Sequence, residues 1–140
     1  MQDPLKQLPG YVLRRASAAA LARLNQRLAP LGLRHIDVAL MMLIDADPGL
    51  TPSRAGRVLD IQRANMVPFV ARLEKRGLMG RRRVDGRSHA LRLTAEGRSR
   101  LARSRVIVAR CEEELIRPVP AKLRPHVLPI LMALWNAPEG

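Results

Sequence analysis

Residues 50–97 read LTPSRAGRVLDIQRANMVPFVARLEKRGLMGRRRVDGRSHALRLTAEG. Thr51 stands where a helix N-cap is wanted, and Pro52 follows at the first helical position, where a missing N–H costs nothing. A short helix runs from there to about Leu59. Asp60-Ile61 makes a tight turn, and the next helix carries Met66, Phe69, Val70 and Leu73 on its inner face. Gly77 suits the left-handed position that closes a helix. Two helices joined by about three residues form a helix-turn-helix. The apolar period then shortens. Residues 78–84 and 89–93 read as two short strands, with Asp85-Gly86-Arg87-Ser88 as the hairpin turn between them. A hairpin in this place is the wing of a winged helix. Thr94 caps the helix that follows, and Gly97 reads as a weak point in its first turn.

Helices extend on both sides of this core. After Pro9-Gly10, the residues Leu13, Ala16, Ala20, Leu21, Leu24, Leu28 and Leu31 recur at helical spacing until Pro30 and Gly32 end the run. A second helix over about 34–46 has Ile36, Ala39, Leu40, Leu43 and Ile44 on one side, and Asp47-Pro48-Gly49 turns the chain. Downstream, Leu101, Ser104, Val108, Cys111 and Leu115 make the seam of a long helix packed on another helix. Pro118 and Pro120 break it. A last helix over about 124–136 turns Val127, Ile130, Leu131 and Leu134 inward, with Pro129 bending it or delaying its start. The fold class is mainly α with a small β-hairpin wing, in a single domain over 1–140.

Charge indicates the partner. The chain has 140 residues, of which 47% are apolar and 26% charged, and its net charge is +13. Thirteen Lys and Arg fall within 72–110 against three acids, Glu74, Asp85 and Glu96, while 111–140 is nearly neutral. Such a field attracts a polyanion. The aromatic residues are only Tyr11, Phe69 and Trp135. Single-strand and RNA binders stack bases on aromatics, so their scarcity favours double-stranded DNA. No apolar stretch reaches the ~18 residues of a membrane span, so no membrane partner is expected. The first 30 residues carry basic residues at 6, 14, 15, 23 and 27 and no apolar block ending in a small-residue cleavage site, which argues against a signal peptide and places the protein in the cytoplasm.

Enzyme chemistry is not supported. His35, His89 and His126 lack metal-ligand spacing, no Gly-rich phosphate loop is present, and no catalytic constellation forms. No metal, catalytic residue or cofactor is expected. Cys111 alone cannot build a disulfide framework, and on an apolar stripe it acts as a small hydrophobe.

Three short motifs carry a family resemblance: RLEKRGL at 72–78, Asp85-x-Arg87 at the wing tip, and Leu93-Thr94-x-x-Gly97. In this order and spacing the chain resembles the MarR family of winged-helix transcription regulators. The resemblance implies a homodimer built by helices over 10–31 and 98–140, with the winged-helix core over 34–97. It implies two winged helices on a pseudopalindromic operator, and a repressor released by a small anionic or phenolic ligand. The run over 33–79, centred on IQRANMVPFVARLEKRGLMGR, is similar to regulators that sense hydroxycinnamoyl-CoA thioesters. A simple aromatic carboxylate remains open as the effector.

In that frame the second helix of the motif enters the major groove. Arg63 matches a guanine edge, and Gln62 or Asn65 an adenine edge. Two features depart from the family pattern. Gln62 stands where a Ser or Thr cap is usual, and Pro68 falls in the second turn, at a cost of ~3 kcal/mol in an ideal helix interior. A bent or late-starting helix is therefore expected. Ser53, Arg54 and Arg57 suit phosphate contacts. Arg87 suits the minor groove. Asp85 is expected to hold an arginine, either Arg87 or Arg83. Arg81, Arg82 and Arg83 alternate faces, so they cannot all reach DNA, and each can equally form a solvated strand. Ser88 and His89 are further phosphate contacts. For the effector the resemblance points to the junction of dimer helices and winged helix, with Arg23, Arg27, His35, Met42 and Arg110 as its residues. Arginine forks pair well with carboxylate or phosphate, although Arg23 and Arg27, one turn apart, can equally form a solvated face. The alternative to a ligand-responsive regulator is an architectural DNA-binding protein that needs no effector.

Overall fold

In a computed structural model, which describes residues 1–138, the chain forms six α-helices and one antiparallel hairpin. They are α1 (Pro9–Leu28), α2 (His35–Ala46), α3 (Pro52–Leu59), α4 (Arg63–Lys75), β1 (Met79–Arg83), β2 (His89–Leu93), α5 (Ala95–Ile116) and α6 (Arg124–Trp135). Short 3-10 turns, Pro4–Gln7, Ala29–Leu31 and Ala121–Leu123, precede α1, follow it and lead into α6. Among the described residues, no helix is long and apolar enough to cross a membrane.

The core sits between α2, α4, the hairpin and the first turns of α5. Leu40, Met41, Leu73, Leu78 and Leu91 have no exposed surface, and Met66, Val70, Met79 and Leu101 are nearly as buried. Each such side chain contributes about 1.5–3 kcal/mol by leaving water. The strand register pairs Met79 with Leu93 and Arg81 with Leu91, so these residues share one face. Ahead of α3, the Leu91 N–H donates to the Leu50 carbonyl (2.7 Å), which ties the hairpin to the turn after α2.

The caps form as the sequence suggests. Thr51 Oγ1 accepts the Arg54 N–H (3.2 Å), and Thr94 Oγ1 accepts the Gly97 N–H (3.0 Å). Gly77 follows α4 with φ +74°. Asp60 also lies in the left-handed region, at φ 54°, in the α3–α4 turn. Aspartate tolerates that conformation better than most side chains.

Four expectations are corrected. Pro9-Gly10 lies inside α1, because proline needs no N–H at a first position. Gly97 is a requirement rather than a weak point, since a Cβ there would overlap the Leu78 carbonyl. The fourth helix does not start late. It runs without interruption from Arg63, and Pro68 lies on its exposed face while Met66, Phe69, Val70 and Leu73 anchor the other. Finally, α6 has no buried residue. Ile130 and Leu134 are well exposed and Leu131 is 39% exposed, because the chain provides no second layer over this helix.

One buried charge joins two elements. Asp37 in α2 is 2% exposed. Its carboxylate accepts the Arg34 N–H (2.8 Å) and an Arg72 Nη2 hydrogen bond (2.8 Å). Arg72 belongs to α4 and also lies over the Phe69 ring, 5.3 Å from its centroid. Close by, Arg76, the residue that caps α4 at its C-terminus, donates to the Gly32 carbonyl. The C-terminal half of α4 is therefore fastened to the α1–α2 corner.

Candidate nucleic-acid interface and effector cavity

The start of α4 and the wing share an open groove of about 720 Å³. From α3 and its cap come Thr51, Ser53 and Arg57; from α4 and its cap, Gln62, Arg63 and Val67; from the hairpin, Arg81, Arg87, Ser88 and His89. Of the expected contacts, Ser53, Gln62, Arg63, Arg87 and Ser88 are thus brought together. Gln62 caps α4 by backbone alone, with no side-chain cap bond, so its amide is not consumed by the helix. Arg63 and Arg87 are exposed. Arg57 and Ser53 are linked by a hydrogen bond (3.1 Å), one turn apart on α3.

Other residues are placed differently. Arg54 bridges to Asp47 (2.9 Å), behind the start of α3. Asn65 is exposed on α4 but does not line the groove. Arg81 borders the groove, but its guanidinium is engaged by Glu74 on α4 (2.8 Å). Arg82, on the opposite strand face, donates to the Pro48 carbonyl (3.1 Å). It lines a smaller recess with Arg92 and Arg98, away from the groove. Arg83 donates to the Gly86 carbonyl (3.3 Å) within the wing. Asp85 holds no guanidinium. Its Oδ1 accepts the backbone N–H groups of Arg87 (3.1 Å) and Ser88 (2.9 Å), so it shapes the turn instead of pairing with an arginine. Those two bonds favour the ionised carboxylate and lower its pKa.

The effector residues divide as well. A cavity of about 490 Å³ lies among α1, α5 and α6, with Leu13, Leu24, Cys111, Leu115, Val127 and Leu131 in its wall. Arg23 borders it. Arg27, one turn on, pairs with Glu114 (2.6 Å) and lies 3.7 Å from Cys111 Sγ. The Glu114 hydrogen bond raises the pKa of that guanidinium. His35 faces Asn25, whose Oδ1 accepts the His35 backbone N–H (2.7 Å) and lies 3.2 Å from ring Nδ1. Partial burial, then the Arg34 charge, lowers the His35 pKa. Met42 and Arg110 are exposed, and neither lines the cavity. The apolar wall escaped sequence reading because it draws on three helices distant in the chain. Only the α1 and α5 stripes hinted at it.

A helix-turn-helix whose second helix and hairpin wing border one basic groove defines a winged-helix transcription regulator. No protein-family model and no curated protein matches the chain. Solved structures do. The chain is similar to the transcriptional repressor CouR bound to a 23-mer DNA duplex, with 34% identity over 97% of this chain and 98% of that one, at TM-score 0.89. CouR bound to p-coumaroyl-CoA matches at 32% identity over 98% of each chain, TM-score 0.86. The PcaV regulator of Streptomyces coelicolor, in complex with its natural ligand, matches at 26% over 99% of each, TM-score 0.79. The chain belongs to the MarR family of winged-helix transcription regulators, in the group that includes CouR.

Proposed function

We propose that this protein is a homodimeric, sequence-specific repressor of transcription, released from a pseudopalindromic operator by a small anionic aromatic acid or its CoA thioester. The observation that carries the reading is the shared groove of α4 and the wing, basic and open, in a chain 34% identical to a repressor bound to duplex DNA. The winged-helix core over 34–97 reads the DNA, and the helices over 10–31 and 98–140 pair two copies. The protein has no catalytic role in this scheme.

Arg63 with Gln62 faces the major groove, Arg87 the minor groove, and Ser53 with Arg57 the phosphates. The cavity among α1, α5 and α6 takes the aromatic part of the ligand. Its wall is largely apolar, with Arg23 and Glu112 as its charged residues, and Arg23 pairs with an anionic group. Arg27 is engaged by Glu114 and stiffens the α1–α5 seam. Release is a population shift. Ligand favours dimers whose two α4 helices are wrongly spaced for successive major grooves. The relative bound to p-coumaroyl-CoA supports an aryl-CoA ligand, and an aromatic carboxylate fits the same apolar wall and arginine.

Fluorescence anisotropy with duplex from upstream of its own gene, against a scrambled duplex at equal salt, tests the reading. A preference of about a hundredfold or more is expected. p-Coumaroyl-CoA or p-coumarate should then release the DNA. Equal affinity for both duplexes, unaffected by either compound, would favour the architectural alternative. Arg63→Ala should cost on the order of 1–3 kcal/mol on the preferred duplex and little on the scrambled one.

A further inference from the structure

The open face of α4 carries a side chain that neither the core nor the polar groove residues explain. Val67 is 62% exposed and borders the same groove as Gln62, Arg63 and Arg87. Pro68 beside it is exposed too, and Ala64 and Ala71 continue the face at helical spacing. A β-branched residue and a proline both work against a helix, and burial compensates neither here. Local preferences broken side by side at open positions mark a surface kept for contact. The rim of that surface carries three arginines without an acidic partner among the described residues, Arg57, Arg63 and Arg87, against one acid, Asp60, so its complement is a polyanion. Its centre is apolar and needs an apolar group opposite. In the major groove, duplex DNA offers the 5-methyl group of thymine. Donors and acceptors of other base edges would lose water against Val67 without gaining a partner.

We infer that Val67, supported by Pro68, determines specificity by packing on thymine methyl groups. Each half-site then carries thymine where the second turn of α4 meets the groove. This deepens the DNA-reading function proposed above and rests on it. One methyl group removed from a packed contact is worth about fourfold in affinity, and one from each half-site about fifteenfold.

The full chain is first used to select preferred duplexes from a pool with a randomised centre. Each thymine of the preferred site is then replaced by uracil, which removes the methyl group alone. Affinities are measured by anisotropy at one salt concentration for the unaltered protein and for Val67→Ala. Alanine is the better helix former and the position is exposed, so the variant keeps its fold, as a thermal melt checks. We expect one thymine position per half-site where uracil weakens the unaltered protein about fourfold, while Val67→Ala binds both duplexes equally. An equal uracil penalty in the two proteins, or preferred half-sites without thymine, overturns the inference and leaves the regulator intact. A pool that yields no preferred sequence overturns sequence-specific reading itself, and this inference with it.

Discussion

Asp60 shows how a single residue fixes the geometry of the reading head. Its left-handed backbone, φ 54°, turns α3 into α4, and the next N–H, that of Ile61, returns to the Gly56 carbonyl (2.8 Å). A β-branched side chain is strained there by roughly 1–2 kcal/mol. Asp60→Val should therefore lower stability by about that amount, and Asp60→Gly should not, as read from denaturant midpoints. Asp37 makes the complementary point about charge. Its buried carboxylate depends on Arg72, whose side chain is half exposed. Arg72→Met leaves an under-satisfied acceptor in the core, and about 1–3 kcal/mol of stability should be lost. A loss below the error of the melt would mean that water replaces the guanidinium. Asp37 is not legible in the sequence, because nothing along the chain tells a surface aspartate from one that meets a partner thirty-five residues away.

At the scale of elements, the wing owes its turn to Asp85. The N–H groups of Arg87 and Ser88 stabilise the ionised carboxylate, so its pKa in the folded wing lies below the unfolded value. Its contribution to the turn is full above the unfolded value and is lost as pH falls through the folded one. The Arg87 and Ser88 amide resonances should accordingly titrate together, with a midpoint below the ordinary aspartate value near 3.8. A midpoint at or above it would show that the carboxylate does not hold the turn. Pro68 predicts a late or bent helix from local propensity, and the late start is the part that fails, since α4 begins at Arg63. Four buried side chains on the inner face outweigh one lost hydrogen bond on the outer face.

For the whole molecule, exposed apolar side chains gather on α1 and α6. Leu128 is 68% exposed and Trp135 79%, and Leu13, Leu131 and Leu134 border one groove between α1 and α6. So much contiguous apolar surface on these helices calls for a second copy of the chain. Leu131→Asp paired with Leu134→Asp should yield monomers in sedimentation velocity and weaken operator binding, since one winged helix reads only a half-site. A dimer that survives both changes would place the interface elsewhere.

Element order, the caps at Thr51 and Thr94, the hairpin and the basic character of the middle third are legible along the chain. These follow from spacing, turn chemistry and charge over short stretches, where few residues compete. Tertiary structure alone decided which arginines remain open. Arg54, Arg81, Arg82 and Arg83 look equivalent to Arg63 and Arg87 along the chain, but Asp47, Glu74 and two backbone carbonyls engage the first four. It also decided that Gly97 is needed, that Asp85 serves its own turn, and that α6 has no cover within the chain. Each of these depends on a partner brought close only by folding, and periodicity along a chain carries no record of that distance.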